Sequence, residues 1–133
     1  MTKKEFIKSK VHRVFKNIER FKTSSPGLVM KLSLEKDEEV LGIYENYLGL
    51  EFESIVITTL GLYLLEEKSV SSIKYSEIAG ISSPQTKDDD KLLITLKNGN
   101  IATLQILGGN GQFRDIFSFL RFLNRVIEHL ASS

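Results

Sequence analysis

The chain has 133 residues, of which 41% are hydrophobic and 26% charged, values that are typical of one globular domain with its own core and that argue against wholesale disorder. It contains no cysteine, which excludes disulfides, thiolate metal sites and a cysteine nucleophile and fits a cytoplasmic location. The net charge of +1 is the sum of +7 for residues 1–31 and −6 for the remainder, so a basic N-terminal arm precedes an acidic body. Such an arm could bind its own acidic body or an anionic surface, and both interpretations stay open.

The first segment, residues 3–21, predicts an amphipathic helix of about four to five turns that ends near Thr23. Its apolar residues recur at alternating spacings of four and three, which places them on one helical face: Ile7, Val11, Val14, Ile18 and Phe21. The stretch TSSPG that follows predicts a linker, because proline and glycine end helices. We therefore divide the chain into a basic N-terminal helix with its linker, residues 1–25, and a second region, residues 26–133.

Short β-type runs separated by turn residues extend from about Glu38 to Ile106 and predict about seven strands. These runs include EVLGIYENY, ESIVITT, GLYLLEE, VSSIKYSEI and the double run LLITLKNGNIATLQIL. The double run predicts a hairpin at Asn98-Gly99, because this dipeptide tolerates the positive φ angles of a tight turn. The connections between runs are too short for crossover helices, so we expect an antiparallel sheet.

The C-terminal segment QFRDIFSFLRFLNRVIEHL predicts a second amphipathic helix, whose apolar arc is wide. One apolar stripe, which we assign to the core, consists of Phe113, Ile116, Phe117, Leu120, Leu123, Ile127 and Leu130. A neighbouring stripe of Phe119, Phe122 and Val126 widens the apolar arc to about 220°, whereas a helix that lies on one sheet needs only about 100°. We expect the second stripe to contact the N-terminal helix or a partner chain.

The segment LQILGGNGQF places glycines between a strand and a helix, as phosphate-binding loops do. A P-loop requires a lysine and a hydroxyl after its last glycine, and a dinucleotide site requires a parallel βαβ unit. Here Gln112 and Phe113 follow Gly111, and the preceding strand belongs to a hairpin. We interpret the segment as a turn into the last helix, with Asn110 as the candidate N-cap and Asp115 in the first turn.

Short antiparallel strands followed by one C-terminal helix resemble the pleckstrin-homology superfold, over about residues 38–130. The segments VITTLGLYLL, SIKYSEIAGI, LLITLKNGN and FRDIFSFLRFLNRV are similar to those of bacterial pleckstrin-homology-like (PH-like) and GRAM-like domains, in which a Thr-x-x-Gly-Leu hairpin precedes a Tyr-x-x-Ile strand end. The resemblance implies an α+β fold: a bent antiparallel barrel of about seven strands, capped by the C-terminal helix, with the N-terminal amphipathic helix as an addition. It implies no chemistry.

Phosphoinositide-binding members of this superfamily use several Lys and Arg side chains around the first two strands to bind inositol phosphates. The matching stretch here, residues 38–57, contains several glutamates and no Lys or Arg. Because such a surface repels phosphate, no lipid-site residue is carried over, and we expect no specific phosphoinositide binding.

The remaining polar features favour structural roles. His12 and His129 stand near opposite ends of the chain as isolated groups, whereas catalysis needs partners within hydrogen-bond reach. The three adjacent aspartates of KDDDK lack the alternating spacing of a calcium loop and are typical of a solvated hairpin tip. The charged run EKDEE, residues 35–39, would protect the entry to the first strand from mispairing. We expect no enzymatic activity, no cofactor and no metal.

The sequence therefore predicts a non-enzymatic protein-interaction module, an adaptor or scaffold that binds a protein partner or a second copy of itself. The residues assigned to that contact are Ile7, Val11, Val14, Ile18, Phe119, Phe122 and Val126. The alternative is a peripheral membrane protein, because basic amphipathic helices bind anionic lipid. The residues that would then contact the membrane are Lys3, Lys4, Lys8, Lys10, Arg13 and Lys16. Nucleic-acid binding is a third and weaker interpretation, since the acidic body opposes it.

Overall fold

The computed structural model describes residues 2–23, 32–50, 53–84, 86, 89–110 and 114–131. These residues form an α+β structure with two α-helices and two antiparallel sheets, of five and three strands. The chain divides into two compact units, Met1–Lys74 and Tyr75–Ser133. The α+β class, the antiparallel pairing and the C-terminal helix are confirmed.

The first unit begins with helix α1, Lys3–Phe15. The Thr2 side chain caps it by accepting a hydrogen bond from the backbone N–H of Glu5 at 3.1 Å. Ile7, Val11 and Phe15 are buried along one face, as their spacing predicts.

The predicted extension of this helix to Thr23 is wrong, because α1 ends at Phe15 and a short strand, β1, Phe21–Lys22, follows. Two tight turns link them: Ile18 donates its N–H to Phe15 O, and Phe21 donates to Ile18 O. These turns bring the ring of Phe21 back onto that of Phe15, with centroids 5.3 Å apart. Stacking of the two rings and pairing of β1 thus replace the last predicted turns of helix.

The sheet of the first unit is a meander in the order β1-β2-β3-β4-β5. Its other strands are β2 Val40–Tyr44, β3 Ser54–Thr58, β4 Gly61–Leu65 and β5 Val70–Lys74. Every residue of β3 is buried, which agrees with its central position. One cluster of core side chains consists of Leu32, Ile43, Val56 and Leu65, with Leu34, Val40 and Tyr63 packed against it.

A close backbone approach requires glycine at the start of β4. A Cβ atom added at Gly61 would lie 2.2 Å from the carbonyl oxygen of Ile73 on β5, so any side chain would push the two strands apart. The hydroxyl of Thr58 accepts hydrogen bonds from the N–H groups of Leu60 and Gly61, both at 3.1 Å, and so fixes the turn between β3 and β4.

The second unit contains a three-stranded sheet in the order β6-β7-β8 and helix α2. A 3-10 turn, Tyr75–Glu77, leads into β6 Ile78–Ser82, and β7 Lys91–Leu96 and β8 Ile101–Gln105 follow, before α2 Asp115–Ala131. The predicted β7–β8 hairpin is confirmed: Gly99 adopts a φ of +93°, and Leu96 N–H donates to Asn100 O at 2.8 Å.

The buried face of α2 differs from the predicted one by about a quarter of a turn. Its buried residues are Asp115, Ile116, Phe119, Phe122, Leu123 and Val126. Phe117, assigned to the core, is 38% exposed, so that assignment is wrong. Three other residues assigned to the core are only half-buried: Leu120, Ile127 and Leu130. The apolar arc of α2 is wider than one contact needs. The part of the arc that is buried is therefore determined by the elements that α2 packs against, which are β6, β7 and the 3-10 turn.

Two further expectations concern the start of α2 and the barrel. Asn110 is not the N-cap, since the helix begins five residues later at Asp115, whereas Asp115 does lie in the first turn. Gly111, Gln112 and Phe113 lie outside the described residues, as does the boundary between residues 25 and 26. In the described part of residues 38–106 there are seven strands, β2 to β8, as predicted, and β1 precedes them. No pairing among the described strands joins the two sheets into a closed barrel.

We expect Phe122→Ala to lower the free energy of unfolding by about 3–5 kcal/mol, because it removes a fully buried ring and leaves a cavity. Phe117→Ala is the matched control on the same helix and should cost about 0.5 kcal/mol, because that ring is already partly in water. Urea unfolding of both variants measures the difference. Equal losses would contradict the observed orientation of α2.

Candidate interaction surface

The loop after β2 holds three exposed apolar side chains within four residues. Tyr47 is 41% exposed, Leu48 48% and Leu50 57%. The other large hydrophobic side chains that are exposed in the described residues are separated along the chain, with at most two of them, Leu93 and Ile101, on neighbouring strands: Leu60, Val70, Leu93, Ile101 and Phe117. Because single exposed apolar residues are ordinary and a local group is not, the loop is the candidate surface. We call residues 45–50 the apolar loop.

Hydrogen bonds within the loop fix its backbone. Leu50 N–H donates to Tyr47 O at 2.9 Å, and Gly49 N–H donates to the Glu45 carboxylate at 3.3 Å. At its far end, the hydroxyl of Ser54 donates to Leu50 O at 3.1 Å. The three apolar side chains are therefore presented by an ordered turn.

Strand β1 and its preceding residue hold the base of the apolar loop. Glu45 N–H donates to Arg20 O at 2.8 Å, and the ammonium of Lys22 pairs with the Glu45 carboxylate at 2.9 Å. The guanidinium of Arg20 donates to the carbonyl oxygen of Asn46. Glu45 and Asn46 are both buried, so these contacts satisfy polar groups that the fold has removed from water.

Glu53, which follows the loop, has a φ of +58°, in the left-handed region that non-glycine residues rarely adopt. Its carbonyl oxygen accepts a hydrogen bond of 2.6 Å from the side-chain amide of Asn46. Backbone strain of this kind persists where the surrounding structure fixes it, and it is common at functional sites. The loop conformation is thus maintained at a local energetic cost.

The interaction residues predicted from the sequence occupy a different environment. Ile7, Val11, Phe119, Phe122 and Val126 are each at most 3% exposed, and Val14 and Ile18 are half-buried, Ile18 beyond the end of α1. The second stripe of the C-terminal helix is therefore buried, and Phe122, for instance, packs edge-to-face on Tyr75 with ring centroids 5.9 Å apart. The expected contact of this stripe with the N-terminal helix or a partner chain stays a prediction.

The basic residues of α1 fall into two groups. Lys4 and Lys8 both pair with the carboxylate of Glu39 at 3.2 Å, so this part of the basic arm binds the acidic segment before β2. Hydrogen bonds from these two ammonium groups lower the pKa of Glu39, and the bond from Lys8 has the larger effect. Lys3, Lys10, Arg13 and Lys16 form no ion pair with the described residues. Lys10 instead lies over the ring of Phe6, 5.6 Å from its centroid.

A second polar cluster surrounds Glu38. Its carboxylate accepts hydrogen bonds from the Thr58 hydroxyl at 2.6 Å, the Tyr63 hydroxyl at 3.0 Å and the Glu35 N–H at 2.9 Å. Burial is the largest cause of a raised pKa at Tyr63, and the hydrogen bond to the Glu38 carboxylate is the second. The pKa of Tyr63 is raised to about 12. The cluster fastens the segment before β2 to the β3–β4 hairpin, and we assign it a structural role.

Other chemistry finds little support in the part of the chain that the structure describes. No group of three or more His, Asp or Glu side chains there is arranged to hold a metal ion. His12 lies on the exposed side of α1 and His129 in the last turn of α2. Of the KDDDK run, Lys87 and Asp88 fall outside the described residues. No described helix combines the length and apolarity needed to cross a bilayer.

Comparisons with protein-family models, with curated proteins and with solved structures gave no match to this chain. The candidate surface therefore rests on the geometry of the apolar loop alone. Sequence reasoning missed this loop because it extended the first strand to Tyr47. A signal was nevertheless present: Asn46 and Gly49 are turn residues, and the apolar residues Tyr47, Leu48 and Leu50 stand beside them, where polar residues are usual.

The raised pKa of Tyr63 makes stability depend on alkaline pH. Because its pKa of about 12 in the folded state exceeds the ordinary 10.0, the stabilisation is complete below about pH 10 and is lost as the pH rises through 12. Glu38→Gln should lower this pKa only in part, since burial is the larger cause. Absorbance titration of tyrosinate, with Tyr63→Phe to assign the signal, measures it. Titration of Tyr63 at its ordinary pKa in the unmodified protein would contradict this prediction.

Proposed function

We propose that the chain is a non-enzymatic protein-interaction module whose contact surface is the apolar loop. The observation that carries this proposal is the exposure of Tyr47, Leu48 and Leu50 on a hydrogen-bonded turn. An ordered loop loses little conformational entropy on binding, so more of the free energy of apolar burial remains available for affinity. Binding residues commonly lie on loops that a rigid scaffold positions.

The chemistry around the loop favours a protein partner with an apolar pocket over an anionic membrane. The stretch that contains the loop, residues 38–57, has no Lys or Arg and includes Glu45 and Glu53 at the base of the loop. The Glu45 carboxylate is already paired with Lys22, and the loop itself supplies no cation that could bind lipid phosphate. Tyrosine and leucine are suited to an apolar pocket, and tyrosine is enriched at energetically important positions of protein interfaces.

The order of the elements supports a PH-like architecture for this module. A meander of strands β2 to β5, a second meander of β6 to β8 and a C-terminal helix follow one another as they do in that superfold. The Thr58-x-x-Gly61-Leu62 motif lies at the β3–β4 hairpin, and the Tyr75-x-x-Ile78 motif comprises the 3-10 turn and the first residue of β6. We propose the family relationship on these features.

Peripheral membrane binding through α1 has one observation in its favour, the cations of Lys3, Lys10, Arg13 and Lys16 outside any ion pair among the described residues. Two others oppose it. The apolar face of α1 is buried, whereas an interfacial helix inserts that face into lipid. Lys4 and Lys8 are already paired with Glu39. We therefore treat membrane binding as the outcome that would overturn the proposal.

Replacing Leu48 and Leu50 by serine should weaken partner capture by at least about tenfold, because the variant loses two apolar contacts at the centre of the surface. The measurement is quantitative capture from the native host by the immobilised chain. Val70→Ser is the matched control, since Val70 is 49% exposed on β5 outside the loop, and it should capture as the unmodified chain does. Proteins retained equally by all three chains would contradict the proposed surface.

Vesicle sedimentation tests the membrane alternative directly. We expect the chain to stay in solution with vesicles of phosphatidylcholine alone and with vesicles that also contain phosphatidylserine, at physiological salt. If it binds only the anionic vesicles, and if the combined variant Lys3→Glu, Lys10→Glu, Arg13→Glu abolishes that binding while Leu48→Ser/Leu50→Ser does not, α1 is a membrane anchor and the proposed function is wrong.

A further inference from the structure

Helix α1 carries basic side chains on both sides of its buried face, and the ion pairs of the described residues neutralise only one side. On that side, the ammonium groups of Lys4 and Lys8 pair with the Glu39 carboxylate, each at 3.2 Å. On the other side, three basic residues form no ion pair with the described residues. We call these three residues the basic flank: Lys3, Lys10 and Arg13.

The basic flank is a narrow surface of one sign of charge. Because an α-helix turns about 100° and rises about 1.5 Å per residue, its three residues fall within about 80° of arc and span about 15 Å along the axis. Lys3 and Arg13 are exposed, and Lys10 is half-buried, with its ammonium 5.6 Å from the centroid of the Phe6 ring. Glu5, the acidic residue of this helix, lies outside the arc. The helix therefore presents three cations here without a carboxylate among them.

The end of the basic flank and the apolar loop lie toward the same end of α1. The ring of Phe21 stacks on that of Phe15, the last residue of α1, with centroids 5.3 Å apart. Arg20, next to Phe21, donates its guanidinium N–H to the carbonyl oxygen of Asn46 in the loop. Arg13 lies in the last turn of the same helix. One partner segment can therefore extend from the loop along the basic flank.

We propose that the partner of this module supplies an acidic segment that binds the basic flank, next to apolar side chains that contact the apolar loop. The inference rests on the proposed function, because it names the chemistry of the partner. The flank is as long as about five extended residues, and alternate side chains of an extended segment point the same way. A segment of about five residues can thus direct three carboxylates toward the three cations.

The other side of the same helix supports a carboxylate ligand. There Lys4 and Lys8 bind an acidic segment of the chain itself, residues 35–39. They pair with the Glu39 carboxylate, and the ammonium of Lys4 also donates to the carbonyl oxygen of Asp37 at 3.3 Å. Ammonium groups of α1 thus hold both a carboxylate and a backbone carbonyl of one acidic peptide segment. The basic flank offers the same chemistry to a segment from outside.

Two other anionic partners fit the structure less well. An interfacial helix inserts its apolar face into lipid, whereas the apolar face of α1 is buried in this protein. The phosphates of a nucleic acid could pair with the basic flank, but the net charge of −6 on the chain after residue 31 repels a long polyanion. A short acidic segment carries few charges, and a protein can place apolar side chains beside it for Leu48 and Leu50.

Neutralising the basic flank should weaken capture of the partner by about tenfold, because exposed ion pairs are individually weak and three are lost together. The variant is Lys3→Gln/Lys10→Gln/Arg13→Gln. The matched control removes three exposed lysines elsewhere, Lys36→Gln/Lys68→Gln/Lys97→Gln, and should capture as the unmodified chain does. Both variants have the same net charge, so a difference between them reports where the charge lies. The measurement is quantitative capture from the native host, and circular dichroism checks that both variants are folded.

Carbodiimide coupling identifies the contact itself, because it forms an amide bond between an ammonium group and a carboxylate paired with it. We expect Lys3 or Lys10 to be coupled to Asp or Glu of a captured protein, in a segment that also contains apolar residues. Capture of that protein should require Leu48 and Leu50. It should also weaken when salt rises from about 0.1 M to about 1 M, which shortens the Debye length from about 10 Å to about 3 Å.

The outcomes separate this inference from the proposed function. Capture that requires Leu48 and Leu50 but is unchanged in the neutralised variant, or that gives no coupling to Lys3 or Lys10, would overturn the inference alone. Capture that does not require the two leucines, or no capture at all, would overturn both. Capture that nuclease abolishes, or binding to phosphatidylserine vesicles that the neutralised variant loses, would assign the basic flank to nucleic acid or lipid and would also overturn the inference.

Discussion

The missing side chain at Gly42 is the constraint on which the first unit depends. A Cβ atom there would lie 2.2 Å from the ring of Phe21 and 2.7 Å from the carbonyl oxygen of Lys22, so only glycine lets β1 approach β2 this closely. Phe21 in turn stacks on Phe15 at the end of α1. One absent methyl group thus allows the helix, the short strand and the sheet to meet through a pair of aromatic rings.

This approach also determines the order of the apolar loop. With Phe21 against Gly42, the neighbouring residues Arg20 and Lys22 reach Asn46 and Glu45 at the base of the loop. The N-terminal segment therefore contributes to the proposed function indirectly: it holds the loop in place and leaves the apolar side chains to contact a partner. Removing residues 1–22 would leave the buried carboxylate of Glu45 without its cation, which is costly in a protein interior.

Local signals determined how much of this fold could be predicted from the sequence. The hairpin at Asn98-Gly99 and the short connections between strands depend on neighbours in the chain, and both were predicted correctly. The end of α1 could not be predicted in this way, because it depends on where the ring of Phe21 packs. The position of that ring is determined by Gly42, about twenty residues further along the chain. The orientation of α2 was missed for a related reason: its wide apolar arc is compatible with several orientations, and the opposing strands select one.

The candidate surface was missed because burial cannot be inferred from hydrophobicity alone. Phe119 and Phe122 are apolar and fully buried, whereas Leu48 and Leu50 are apolar and about half exposed. What distinguishes them is hydrogen bonding: a helix satisfies its own backbone and can be buried anywhere, while a loop must keep its backbone near water or find specific partners. Apolar residues between turn-forming residues are therefore more informative about binding than apolar residues on a helix.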